Sequence, residues 1–429
     1  MQVISVPHDV LPYVAVNVTF RRGASQDPPG QEGLAYLTAE MLLRGTQRRS
    51  RAEFLGAVHQ LGTSINVSAG EESIRLSADC AAEHLPALLE LMAEAILEPA
   101  FSESELSHLQ RRTIATLAEM RDDDSAAASL FFTAALFQGH PYAGGIYGYA
   151  HTLLAVERDD LAAFHAAHYC VDTLVVAMAG AVDKDEAQRF AEGLEAKLPA
   201  GKPGRTTLSH ENPRSCKVVH VTHPERSQAQ VLIGQAALPG RDSRLLPGLV
   251  AVTGFGGTFT SRLVREIREK RGWSYGVGAS LQAGLHTGFF QMRFAPRNED
   301  LRPALELSMQ LLEELVSVGP SEDEIKFAAR YLVQRFPFHL ETILRRLNVL
   351  LNVTLTGKPT DYIETFCERV EDVDASSAVA ALQSFLFPAR QTIVVVADAS
   401  VGESLAEFAG KQSVLTVPST WDKPLPDMQ

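Results

Sequence analysis

The feature that most constrains this chain is that it repeats itself. Residues 173–179 (TLVVAMA) resemble 392–398 (TIVVVAD), and 101–106 (FSESEL) resemble 320–325 (PSEDEI). Both pairs lie 219 residues apart. Two matches at one offset mark a duplicated unit of about 200 residues, a normal domain size. Between the copies run 199–205 (PAGKPGR) and Asn212-Pro213, whose Pro, Gly and polar residues read as a linker. The expected domains are therefore 1–205 and 215–429, with the boundary near 200–215.

Each half shows the same coarse order of elements. Residues 13–20 alternate apolar and polar positions, which predicts a half-buried strand. Residues 228–238 play that part in the second half. Helices are expected at 33–44 and 260–271. Paired strands follow at 64–68 with 73–79, and at 275–281 with 288–294. Long helical segments come next, at 85–96 and 103–121, then at 305–316 and 322–355, the last interrupted by Pro337. Apolar strands at 174–179 and 393–397 close the halves. Strands and helices in blocks predict an α+β fold: two similar domains, each a mostly antiparallel sheet covered by helices.

Charge excludes some partners. The formal net charge is −13, which argues against nucleic acid and anionic membrane surfaces, since both need clustered Lys and Arg. The run 174–182 is far short of the roughly 20 apolar residues that span a bilayer. Cys80, Cys170, Cys216 and Cys367 form no C-x-x-C pair and read as free thiols, although their even number also allows disulfides. Among the 13 histidines there is neither H-E-x-x-H nor H-x-x-E-H. His165 and His168, three apart in a helical stretch, and His220 and His223, near a strand end, read as core or surface residues.

Residues 33–46 read GLAYLTAEMLLRGT. Taken alone they make an amphipathic helix. They also resemble the zinc helix of the pitrilysin/insulinase-type peptidases, roughly G-L-A-H-x-x-E-H-M-L-x-K-G-T, whose inverted H-x-x-E-H motif supplies two ligands and a general base. Here Tyr36 and Glu40 stand at the two His positions and Ala39 at the base Glu. The family's third ligand is a Glu roughly 80 residues downstream. Glu119, which is 83 residues after Tyr36, fits that place. Two carboxylates without imidazoles suit zinc poorly. The resemblance thus implies a degenerate metal site at Tyr36, Ala39, Glu40 and Glu119, with no cofactor in this chain.

The second half carries 254–275, GFGGTFTSRLVREIREKRGWSY. Residues 262–271 hold seven charged side chains, so by composition any one arginine reads as a solvated surface group and a strand Tyr as packing. The stretch is similar to the family's second-half signature, roughly G-G-x-x-S-R-L-x-x-x-I-R-E-K-x-G-x-x-Y, with one extra residue before Ser261. In that signature the Arg and the Tyr seven residues on form a pair that reaches substrate. Here they are Arg268 and Tyr275. Thr258, Thr260 or Ser261 is expected to cap the helix, and Gly272 to end it in a left-handed cap. Tyr275 is placed at the start of a strand. Gly254, Gly256 and Gly257 read first as places where backbone approaches backbone; a longer glycine run binds substrate in the mitochondrial processing peptidases, and Gly256, Gly257 and Thr258 resemble it in shortened form. No Lys-Ser/Thr follows, so this is not a phosphate loop.

What the resemblance implies is the zinc-free subunit of a two-chain zinc metallopeptidase. A homologous subunit with the intact motif would hold the zinc, and Arg268 and Tyr275 would bind peptide and stabilise the transition state across the interface. The alternatives are an inert homologue resembling respiratory-complex core proteins and, against the ligand census, an independent peptidase with an unusual metal site. The family usually opens with a Leu-x-Asn-Gly strand, which Met1-Gln2-Val3-Ile4 lacks. A removed export signal and a periplasmic location are expected, with the cytoplasm as the alternative.

Overall fold

The computed structural model describes residues 1–8, 10–201 and 215–427. Most of the expected linker, 202–214, lies outside the described residues. The chain forms two compact units. One comprises Met1–Leu117, Gly144–Thr207 and His339–Leu355; the other comprises Ala118–Ala143, Leu208–Phe338 and Thr356–Gln429.

The first unit holds a five-stranded sheet of β1 (Gln2–Pro7), β2 (Tyr13–Phe20), β3 (Asn66–Ala69), β4 (Ile74–Ala81) and β5 (Leu174–Gly180), in the order β1-β5-β2-β4-β3. The second holds β6 (Lys217–Thr222), β7 (Gln230–Ala237), β8 (Gly278–Gln282), β9 (Gly288–Phe294), β10 (Thr392–Ala397) and β11 (Val414–Pro418), in the order β11-β6-β10-β7-β9-β8. Without β11 the two orders are the same. Only β1–β5, β6–β10 and β6–β11 pair in parallel; the remaining pairs are antiparallel. This is the α+β duplication expected from the repeat.

Two expectations need correction. The first sheet does have an opening strand: β1 pairs with β5 from Gln2↔Val175 to Pro7↔Gly180, even without the Leu-x-Asn-Gly tetrapeptide. And β2 is buried on both faces rather than half-buried. Val14, Val16, Val18 and Phe20 face the main core. Ala15, with Val175 and Ala177, is covered by Ile343, Leu347 and Leu351 of the helix Ile343–Thr356. Those residues recur at i, i+4 and i+8, one helical face.

That covering helix comes from the second half of the sequence, and the arrangement is reciprocal. The helix Asp124–Leu136, from the first half, lays Ala127, Ala128, Phe131, Phe132 and Ala135 on Val219, Val221, Leu232, Val394 and Val396 of the second sheet. Asp123 caps this helix by accepting from the Ala126 amide at 2.8 Å. Each sequence half therefore supplies most of one unit and one helix of the other. The segment 322–355 is divided as Pro337 predicts: Glu322–Arg335 ends in a short 3-10 turn, Phe336–His339, before Ile343–Thr356 begins. All four cysteines are free thiols.

Candidate functional site

The helix Leu34–Met41 begins at Gly33, whose φ of +98° is a left-handed value that glycine tolerates. A Cβ there would also meet the Tyr147 carbonyl oxygen at 2.5 Å. Asp27 caps the helix, accepting from the Gly33 and Ala35 amides at 2.8 Å each. Burial raises the pKa of this carboxyl to about 8 against the pull of those amides. Nothing in the sequence reading singled out Asp27.

Tyr36 and Glu40, four residues apart, share one helical face. Tyr36 packs edge-on against Tyr147, with ring centroids 4.8 Å apart. Burial, and then the charge of Glu40, raise the pKa of the Tyr36 phenol. Burial likewise raises that of Glu40, opposed by the cationic Arg44 and Arg112. Arg44 is itself buried and ion-paired with Glu105 at 3.2 Å. Ala39 is 1% exposed, a core methyl where hydrolysis would need a base. Glu119 is exposed near the end of the helix Glu103–Asp122. A phenol, a methyl and a carboxylate facing two guanidinium groups do not make a zinc site. Among the described residues no cluster of three or more His, Cys, Asp or Glu side chains could hold a metal.

The other expected histidine pairs are also structural. His165 donates Nε2–H to the Ile96 carbonyl at 2.8 Å and stacks on Tyr169. His168 packs against Phe164, and burial lowers its pKa to about 4. His220 is a buried strand residue, and His223 sits between Asp122 and Asp124 at 3.3 and 2.7 Å.

The second signature segment is wound differently from the expected α-helix. Thr253–Gly257 and Arg265–Glu269 are π-helical, and only Arg262–Val264 between them is α-helical. The widened turn shows in the Lys270 amide, which donates to the Arg265 carbonyl five residues back at 3.0 Å. Such bulges occur often at functional sites. Ser261 occupies the cap position, but its hydroxyl donates to the Thr258 carbonyl at 2.6 Å instead of capping. Gly272 ends the helix at φ +65°, with the Trp273 amide donating to the Ile267 carbonyl, as the sequence predicts. Gly256 is where backbone meets backbone: a Cβ there would lie 2.5 Å from the Ala279 Cβ and 2.7 Å from the Ala279 nitrogen of β8. Gly257 is exposed, and Thr258 is half-buried.

Tyr275 does not start a strand. It projects from the loop ahead of β8 and is 83% exposed. Ser274 anchors that loop: its buried hydroxyl donates to the Gly276 carbonyl at 3.0 Å and accepts from the Ala295 amide at 2.8 Å. Arg268 and Tyr275 do come together. The guanidinium carbon lies over the Tyr275 ring, 4.6 Å from its centroid, and over the ring of Phe259 at 5.0 Å. Phe259, 73% exposed, was missed by sequence reasoning. Its signal was an aromatic residue between two threonines in a polar run.

The charge around Arg268 is unevenly balanced. Arg262 forms a two-point pair with Glu324 at 2.9 and 2.5 Å. Lys270 and Arg271 both bind Glu266, at 2.6 and 2.9 Å. No hydrogen bond or ion pair engages the Arg268 side chain among the described residues; two π faces hold it.

Comparison with known proteins gives the chain a family and a fold. Residues 3–149 match the family described as insulinase (peptidase family M16), and 155–332 match the one described as peptidase M16 inactive domain. A Helicobacter pylori protein named non-peptidase homolog YmxG is 25% identical over 375 residues, covering 86% of this chain and 85% of that protein. A protein of Mycobacterium tuberculosis named as an uncharacterized zinc protease is 26% identical over 383 residues, covering 87% and 85%. The crystal structure of a peptidase M16 inactive domain from Pseudomonas fluorescens superposes with a TM-score of 0.86 at 24% identity, over 92% of this chain and 96% of that one.

Proposed function

This chain belongs to the M16 peptidase family, and on that premise we propose that it is the zinc-free subunit of a two-chain peptidase. Arg268 and Tyr275 are the half of the active centre that it contributes. The observation that carries the proposal is the unpaired Arg268 guanidinium lying over the exposed Tyr275 ring. A guanidinium offers a planar, permanently charged fork to carbonyl oxygens, and a phenol adds one donor. Aimed at the oxygen that gains charge during peptide hydrolysis, such donors stabilise the transition state. Metal and general base would come from a homologous subunit with the intact motif, since Tyr36, Ala39 and Glu40 cannot supply them. Gly256, Gly257 and Thr258 would line the path of the peptide.

A second reading, an inert family member, is favoured by the likeness to the Helicobacter pylori non-peptidase homolog. One experiment separates the two. Peptide cleavage is measured for this chain, for a zinc-motif homologue from the same organism, and for their mixture. We expect turnover only in the mixture. Arg268→Ala should lower kcat/KM there by roughly 10²–10³-fold, as for loss of one oxyanion donor. A mixture that works at full rate with Arg268→Ala and Tyr275→Phe would remove the assigned roles, and no turnover in any arm would favour the inert reading.

A further inference from the structure

The second unit contains a small cavity that the peptidase reading does not use. Its volume is ≈ 170 Å³, close to the ~150 Å³ of a cavity known to accept benzene. Leu245, Leu246 and Leu249 on the helix Leu245–Val252, with Leu281 of β8, form its apolar wall. The loop crossing at its edge leaves no slack: a Cβ on Gly240 would lie 2.5 Å from the Thr356 carbonyl oxygen. The backbone at that edge is thus closely packed.

The polar side of the cavity is strongly one-signed. Arg241, Lys358 and Arg369 line it, against a single carboxylate, Asp242. Asp242 is already neutralised by Arg244, which binds both of its oxygens at 2.9 and 2.6 Å. In a chain of net charge −13, three cations beside an apolar wall are a local reversal. The Lys358 ammonium lies 4.6 Å from the centroid of the Tyr362 ring, and burial lowers its pKa. Burial raises the Tyr362 phenol to about 12, so it keeps its proton and adds a donor.

We propose that this cavity binds a small organic anion, a carboxylate on an apolar body of about the size of benzene. The apolar part would sit against the leucines, and the carboxylate would lie between Lys358, Arg369 and the Tyr362 hydroxyl. Charge-assisted hydrogen bonds of this type are the strong ones, and an apolar pocket with a few convergent polar groups is the usual form of a small-ligand site. The same chemistry is presented by a free aryl or alkyl carboxylate and by the carboxyl end of a peptide whose last residue is apolar.

The full chain titrated with benzoate by calorimetry at neutral pH tests this directly, without any peptidase assay. Saturable binding is expected with a Kd of about 1 mM or below, and benzyl alcohol, which has the ring without the charge, should bind at least tenfold more weakly. Lys358→Met and Arg369→Ala should each weaken benzoate binding by about tenfold or more. Leu249→Phe, which fills the cavity, should abolish it, with circular dichroism confirming that each variant is folded. A peptide ending in phenylalanine, compared with its C-terminal amide, identifies the source. Binding of the acid alone means that a chain terminus is accepted, and binding of benzoate but neither peptide means a free carboxylate. The proposal is overturned by no saturable binding up to about 10 mM, by equal affinity for benzyl alcohol, or by Leu249→Phe binding as well as the parent chain.

Discussion

The two signature helices of this duplicated chain have opposite fates. In the first unit the three helix positions are packed or balanced internally: Tyr36 against Tyr147, Glu40 by the charges of Arg44 and Arg112, Ala39 by the core. In the second, Arg268 has no counter-ion among the described residues and lies beside two large exposed rings. A half-exposed guanidinium held only by two exposed rings adds little to the stability of an isolated domain, whereas packed side chains add much more. The contrast separates a packed signature helix from an open one, and the proposed ligand role falls on the open one. One region has been absorbed into the core, and the other is still held open.

The most severe way to break that contrast is Ala39→Glu. In an active metal helix this position carries the base; here a carboxylate would be forced into a fully packed site. We expect a loss of about 4 kcal/mol, near the upper end for single substitutions, measured by urea denaturation. If Tyr36→His, Ala39→Glu and Glu40→His together gave a stable chain that bound zinc stoichiometrically, the first helix would not have been absorbed at all. Arg268→Ala should behave in the opposite way. On the proposed function, its cost of about 3 kcal/mol should fall on catalysis by the proposed two-chain assembly, while the stability of the isolated chain stays within about 0.5 kcal/mol.

How much of this was legible in the sequence depended on what each residue reports. The repeat at a 219-residue offset predicted the duplication, and the strand orders confirm it. The pairing of Arg268 with Tyr275 was legible because the motif spacing survives. The exchange of helices was not, because a sequence repeat says which segments correspond and nothing about which sheet each one covers. That choice shows only in the packing, where Leu347 and Leu351 join Ala15 and Val175 of the first sheet, and Phe131 and Phe132 join Val219 and Val394 of the second. The π-helical turns were also hidden. A segment such as REIRE has ordinary helix propensity, and propensity does not distinguish a π turn from an α turn. Phe259 stood in plain view but outside the conserved-looking frame, where exposure alone marks it.

A gentler test acts on the glycine turn beneath the open site. Gly256→Ala would push a methyl to 2.5 Å from the Ala279 Cβ, and the backbone of β8 cannot yield cheaply. We expect a loss of about 1–3 kcal/mol, as for overpacking elsewhere, read as a lower thermal midpoint. Gly257→Ala meets first the Thr253 side chain, at 3.2 Å, and should cost much less. If both substitutions were equally mild, Gly256 would not be fixing the turn against the sheet.

The smallest expected effect concerns the absorbed unit and its response to acid. Burial, reinforced by the Arg22 charge, moves His168 from 6.5 down to about 4, and its Nδ1 is buried without a hydrogen-bond partner. His165 in the same helix is lowered too, again by burial. Between pH 6.5 and 4 the unfolded chain binds protons that the folded chain refuses, so stability falls as the pH drops through that window and is fully present above it. His168 is partly exposed, so solvent screening limits its share to about 1–2 kcal/mol. Urea midpoints for the first unit, followed by hydrogen exchange at pH 7 and pH 4.5, should show this loss, and His168→Gln should flatten the difference even if it lowers stability at pH 7. An unchanged difference in His168→Gln would shift the acid sensitivity onto other groups and leave the stacked histidines of the first unit as packing alone.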